Sequence, residues 1–261
     1  MPRYAIEFEY DGSAFAGTQE QRGDIRTLQS VLTAAVTQLE GAPTKVRLAS
    51  RLDAGVSAYG LVGDVALSRV WEPATLGMAL TSYLPMDVAV RRVAEMPDTW
   101  NAKTAARSKT YVYRVCRRNM RPVLDRRCWW LRRIDHPQYL PTLAALLPGD
   151  RDLSGFACLR RDDSDEEDPH RRVLNCSWHS DMRIGEEIHT FTITGEGFLY
   201  KQVRGIVGAM LFVAQGRASV DEFIATMAAG RSANRIGNIA PAEGLILQVI
   251  NYEPAPVWIT I

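Results

Sequence analysis

Three observations predict an α+β fold for this chain. Apolar residues alternate with polar ones in some segments and recur at helical spacing in others; the N-terminal part orders these segments as βαββαβ; and a similar order begins again beyond an aperiodic connector. A chain of 261 residues is long enough for one large domain or two smaller ones.

Tyr4, Ile6, Phe8 and Tyr10 share one face of a strand that Asp11-Gly12-Ser13 turns. Thr27 can cap a helix in which Leu28, Val31, Leu32, Ala35, Val36 and Leu39 fall at i, i+3, i+4, i+7, i+8 and i+11, a clean apolar stripe. Strands over 45–49 and 61–68, a helix over Glu72–Leu84 and a strand over Val88–Met96 complete the order. It is the ferredoxin-like (RRM-like) one. Pro97–Arg107 carries Pro97, Asp98 and Asn101 without a period and reads as a connector.

Beyond it, strands are expected over 109–117, 126–134, 172–179 and 187–194, and a helix over 138–147. A long helix, Phe198–Gln215, should bury Val203, Ile206, Val207, Met210, Leu211 and Ala214; a helix over 220–229 and a strand over 245–252 close the chain. The economical arrangement is two ferredoxin-like subdomains, residues 1–103 and 104–261, with antiparallel sheets side by side and the active-site cleft at the seam.

Composition removes several classes. The chain is 46% hydrophobic with a net charge of +1, and no apolar run approaches the roughly 18 residues of a membrane span. The alternating N-terminus is unlike a secretory signal, so the cytoplasm is expected, with no membrane partner. Cys116, Cys128, Cys158 and Cys176 form no C-x-x-C pair and are expected as reduced thiols. Cys176 and His179 read as strand residues rather than half a zinc site. The acidic segment 160–172 lacks the frame of a calcium loop and is expected to be exposed and flexible, so no metal is expected. Walker, G-x-G-x-x-G and G-x-S-x-G signatures are absent, which leaves nucleotide-driven and serine-hydrolase chemistry unsupported.

Charge is unevenly spread. All basic residues but Lys45, Lys103, Lys109 and Lys201 are arginine, and Arg114, Arg117, Arg118, Arg121, Arg126, Arg127, Arg132 and Arg133 face one acid, Asp125, in the same stretch. Tyr111, Tyr113, Trp129 and Trp130 lie in or beside it. Guanidinium forks with aromatic surfaces suit an RNA backbone and unstacked bases.

The residues most suggestive of chemistry are Ser50-Arg51-Leu52-Asp53-Ala54-Gly55-Val56-Ser57-Ala58, where a carboxylate stands among small residues between two strands. This stretch resembles the G-R-T-D-A-G-V-H-A motif of the tRNA pseudouridine synthase A family. Further segments match in the family's order: Glu9–Ser13 with Phe15 and Gly17; Leu84-Pro85 with Asp87–Val90; Trp100–Lys103, where F-H-A-R is usual; and Lys109–Tyr113 as the basic-x-Y-x-Y strand. Phe198-Leu199 with Gln202–Arg204 and Ile206–Gly208, and finally Pro241–Leu247, complete the match.

The resemblance implies uridine isomerisation to pseudouridine in the anticodon stem-loop of tRNA, at positions 38–40, by a homodimer without cofactor or metal. It implies Asp53 as the catalytic carboxylate, attacking C1′ or removing the C2′ proton, and Arg204 as its ionising partner. Tyr111 is implied to stack on the base and relay a proton, Arg51 to hold the extruded nucleotide and Leu245 to pack near the base. Tyr113 reads as core. Leu52, Ser57 and Thr18 stand where the family has threonine, histidine and tryptophan. They favour the competing expectation, a diverged RNA-binding paralogue with an altered target or weak catalysis. A small-molecule hydrolase would leave the arginine run unexplained.

Overall fold

In the computed structural model, which describes residues 1–158 and 168–261, strand β1 (Arg3–Tyr10) lies between β3 (Ser57–Ala66) and β4 (Val88–Met96), antiparallel to both. Tyr4, Ile6 and Phe8 are buried as their alternation predicts. Glu7, on the other face, is buried too: its carboxylate accepts from Nε of Arg92 at 2.7 Å, and that guanidinium lies 5.0 Å from the ring of Trp258. A carboxylate leaves water at tolerable cost only when its counter-charge accompanies it.

Helix α1 (Leu28–Glu40) buries Leu28, Leu32, Ala35 and Val36 of the expected stripe. It starts at Thr27, whose side chain accepts from the Ser30 amide while Ser30 reaches back to the Thr27 amide, a capping box. Helix α2 (Pro73–Tyr83) is capped by Glu72, whose carboxylate is held below its usual range by the Ala74 and Thr75 amides. Strand β2 (Arg47–Leu48) pairs with one end of β3, so the strands run in the order β4-β1-β3-β2.

Two late segments join them. Strand β10 (Leu245–Tyr252) pairs with the other end of β3 in parallel, Ile246 opposite Ser57, and β11 (Ile259–Thr260) edges β4. Asp64 of β3 is fully buried and accepts from Nη1 of Arg3 at 2.7 Å, Nε of Arg47 at 3.0 Å and the Ala102 amide at 3.0 Å. One carboxylate thereby holds β1, β2 and the connector to β3.

The chain forms two units, Met1–Lys109 with Ile246–Ile261, and Thr110–Leu245. The division falls inside strand β5 (Ala106–Arg117), and the last strand groups with the first unit. The pairings of β10 with β3 and of β11 with β4 span most of the chain, and such contacts leave no local signature.

In the second unit β5 is followed across the sheet by β9 (Glu186–Gly195), β8 (His170–Arg183) and β7 (Gly149–Asp152), while β6 (Trp129–Leu131) runs parallel to β5. Strand β8 begins at His170, so the expected acidic loop ends before Arg172; residues 160–167 of that segment lie outside those described. Helices α3 (Tyr139–Ala145), α4 (Gln202–Ala214) and α5 (Val220–Ala229) complete it. All of α4 except Arg204 and Phe212 is buried, the pattern of a helix enclosed on all sides. It begins at Gln202 rather than Phe198 because Lys201 has φ 57°, left-handed backbone that no α-helix continues through. The protein is thus α+β, with multi-stranded sheets and five α-helices among the described residues. Among these, no helix is long and apolar enough to cross a membrane.

Candidate active site

Asp53 lies half-buried in the loop between β2 and β3, and Arg51 is exposed two residues earlier. The Val56 amide donates to the Asp53 carbonyl at 3.2 Å, and Gly55 between them has φ 81°. This is a tight turn whose third residue must be left-handed, which accounts for the glycine. The turn is docked on the segment after β1. The Gly55 amide donates to the Phe15 carbonyl at 3.2 Å, the Gly12 amide to Oγ of Ser57 at 3.0 Å, and the Leu52 amide to Oγ1 of Thr18 at 2.9 Å. Gly17 has φ 99°, and a Cβ on it would meet the Leu52 carbonyl oxygen at 2.9 Å.

The segment is itself braced. The Phe15 ring packs edge-on against Tyr10 and carries the Arg26 guanidinium 4.1 Å above it. Arg26 donates to both carboxylate oxygens of Asp87, at 2.7 and 2.9 Å, which holds that carboxyl below its usual range. The sequence reading gave Lys109 no role. Its Nζ is 3.3 Å from the Ala49 carbonyl at the start of the loop, and burial, then Lys103, push its pKa down. The signal for it was a basic residue opening a tyrosine strand.

The other candidates belong to the second unit. Tyr111 on β5 is buried, its ring edge-on to Phe198 at 5.4 Å. Tyr113, on the same strand face, is fully buried, and its hydroxyl donates to the Pro241 carbonyl at 2.7 Å. Burial foremost, then Glu243, raises its pKa well above the ordinary value, so the phenol keeps its proton. Arg204 is half-buried on α4; its Nε donates to the Ala240 carbonyl at 2.7 Å, and its own carbonyl accepts from the Ala240 amide at 3.1 Å. Leu245 is buried where β10 opens. Strand β5, helix α4 and the segment 240–245 therefore meet through Tyr113, Arg204 and their carbonyl partners.

The arginine run divides. Arg114, Arg117, Arg118 and Arg133 are ion-paired with Asp125, Glu187, Glu186 and Asp135. Arg121, Arg126, Arg127 and Arg132 are exposed. The four cysteines are free thiols, and burial pushes Cys128 and Cys176 up to about 12, too high for a nucleophile at neutral pH. Cys176 and His179 sit at odd spacing on β8 and so point to opposite faces.

A family model described as tRNA pseudouridine synthase matches residues 143–253. The chain is 36% identical to a tRNA pseudouridine synthase A from Azorhizobium caulinodans over 97% of its own length and 95% of the relative's. It is 36% identical to the one from Xanthobacter autotrophicus, over 97% of this chain and 100% of that one. To the one from Bartonella henselae it is 31% identical, again over 97% and 100%. Likeness sustained from end to end at this level reflects common descent, and the chain belongs to the tRNA pseudouridine synthase A family, which makes it an RNA pseudouridine synthase, an isomerase.

Proposed function

We propose that the chain isomerises uridine to pseudouridine in the anticodon stem-loop of tRNA, at positions 38–40. The observation that carries this reading is the half-buried Asp53 on a turn whose backbone is bonded to the segment Gly12–Thr18. The reaction breaks the N1–C1′ bond and forms C5–C1′, while C5 gives up a proton and N1 gains one. Nothing is oxidised or reduced, so the reading includes no cofactor or metal. Asp53 attacks C1′ or removes the C2′ proton, and Arg204 is read as the cation that serves it. Tyr111 stacks on the uracil and relays the C5 proton; Arg51 props the extruded nucleotide; Leu245 packs near the base.

Both units are read as ferredoxin-like, which the order β4-β1-β3-β2 supports in the first. The enzyme is read as cytoplasmic and as a homodimer across one tRNA, so light scattering should return about twice 29.1 kDa. The test of function is a pseudouridine map of tRNA from cells with and without the protein. Loss of pseudouridine at 38–40 is expected; an unchanged map, with purified protein inactive on uridine tRNA, overturns the reading in favour of an RNA-binding paralogue.

A further inference from the structure

We propose that Thr18 is the positioning residue for Asp53, acting through Leu52. The inference rests on the reading of Asp53 as the catalytic carboxylate. Both main-chain polar groups of Leu52 end on Thr18: the Leu52 amide donates to Thr18 Oγ1 at 2.9 Å, and the Thr18 amide donates to the Leu52 carbonyl at 3.1 Å. The amide belongs to the peptide joining Arg51 to Leu52, and the carbonyl to the peptide joining Leu52 to Asp53. One threonine thus fixes two successive peptide planes, the second being the one from which the Asp53 α-carbon is suspended. An anchoring residue must itself be immobile, and Thr18 is 1% exposed.

Its position is set from the far side by helix α1. The Thr18 carbonyl accepts from the Gln29 amide at 2.9 Å, and the neighbouring Gly17 carbonyl accepts from Leu28 at 3.1 Å, both in the first turn. The path of fixed geometry therefore runs from the start of α1 through Thr18 and Leu52 to Asp53. A second side-chain bond between the two segments, Gly12 amide to Ser57 Oγ, holds the far end of the same turn. Thr18, Leu52 and Ser57 are three of the positions at which the chain departs from the family motif, and all three contribute to this docking. A loop anchored at both ends restricts the carboxylate without touching it. Displacing a reacting group by about 1 Å is enough to lower turnover by about 100-fold.

The test compares Thr18→Val, which keeps the shape and loses the acceptor, with Thr18→Ser, which keeps the hydroxyl. Single-turnover rate, KM, tRNA affinity and thermal melting are measured for each. Thr18→Val is expected to slow the chemical step by about 10-fold to 100-fold, with KM and tRNA affinity within about threefold, and Thr18→Ser to restore the rate to within about threefold of wild type. Thr18→Ala, which removes the hydroxyl without adding a methyl group, is the companion variant and should lose rate in the same way. A rate above half of wild type in either hydroxyl-less variant, an equal loss in Thr18→Ser, or a loss carried by KM overturns the proposal. So does failure of both hydroxyl-less variants to fold, since the role is then structural. Asp53→Asn separates the two ideas: if it keeps more than a tenth of wild-type turnover, the reading of the site fails, whereas if it is inactive and Thr18→Val is not impaired, only the positioning role fails.

Discussion

The hydroxyl of Tyr113 donates to the carbonyl of Pro241 at 2.7 Å across a sequence separation of 128 residues. That bond ties β5 to the segment leading into β10 and gives the second tyrosine of the Y-x-Y strand a structural task. Tyr113→Phe strands a half-buried carbonyl and should lower unfolding free energy by about 1 kcal/mol in urea, with turnover within about threefold of wild type. Tyr111→Phe should instead lower turnover by about 10-fold or more, because the phenol is assigned the proton at C5. Equal effects of the two variants on turnover would refute this division of roles.

Asp53→Asn keeps the size of the side chain and removes both nucleophile and base. Turnover should fall by about 10³-fold or more, and tRNA affinity by less than about tenfold, because phosphate contacts carry most of it. Retention of more than a tenth of wild-type activity, with deamidation excluded by mass spectrometry, would show that the loop is only a turn.

Binding of tRNA should weaken with salt in proportion to the phosphates contacted. Among the described residues, Arg114, Arg117, Arg118 and Arg133 are engaged with carboxylates, and Arg121, Arg126, Arg127 and Arg132 are further exposed cations of the run. If these four meet phosphates, the log-log slope is about −3 to −4, and charge reversal at any one of them makes it shallower by about one. A slope shallower than about −1 means that the run faces away from the RNA.

His189 makes stability depend on pH. Nδ1 accepts from Trp178 Nε1 at 3.3 Å and Nε2 lies 3.0 Å from Glu187, whose other oxygen is 2.6 Å from Arg117. Burial is the main influence and holds the ring pKa below 6.5, Arg117 adds to it, and Glu187 opposes. Between the folded and unfolded values the unfolded chain binds more protons, so this contribution is present above about pH 6.5 and is lost as pH falls through the folded value. His189→Gln preserves an acceptor and a donor without titrating, and should lose less melting temperature between pH 7 and pH 5 than the wild type. Parallel pH profiles would exclude the assignment.

The hairpin of β8 and β9 turns through Ile184 and Gly185, with φ of 51° and 73°. A two-residue turn with both φ positive suits asparagine or glycine first and strains a β-branched side chain, here fully exposed. Ile184→Asn should raise unfolding free energy by about 1 kcal/mol without affecting turnover. No gain in denaturant midpoint would show that the turn is unstrained.

Periodicity and cap chemistry are local, so residues 28–40, 73–83 and 88–96 could be read from the sequence close to their bounds, and so could the capping Thr27 and the glycine of the Asp53 turn. Resemblance to the family's motifs is what singles out Asp53, Tyr111 and Arg204 as candidates. What depends on residues distant in sequence was not legible. Strands β7 and β11 are four and two residues long and exist only because β8 and β4 offer them an edge. Glu7 and Asp64 look like solvent-facing acids until Arg92, Arg3 and Arg47 arrive from other strands to neutralise them in the interior. Thr18 and Leu52 look like two unrelated departures until folding brings them within hydrogen-bonding distance. The sequence determined the local conformations and the chemical groups available to a site, through steric preference and residue chemistry. Tertiary structure alone decided which polar groups were buried as partners, because burying a charge or an amide is favourable only when its complement is brought to the same place.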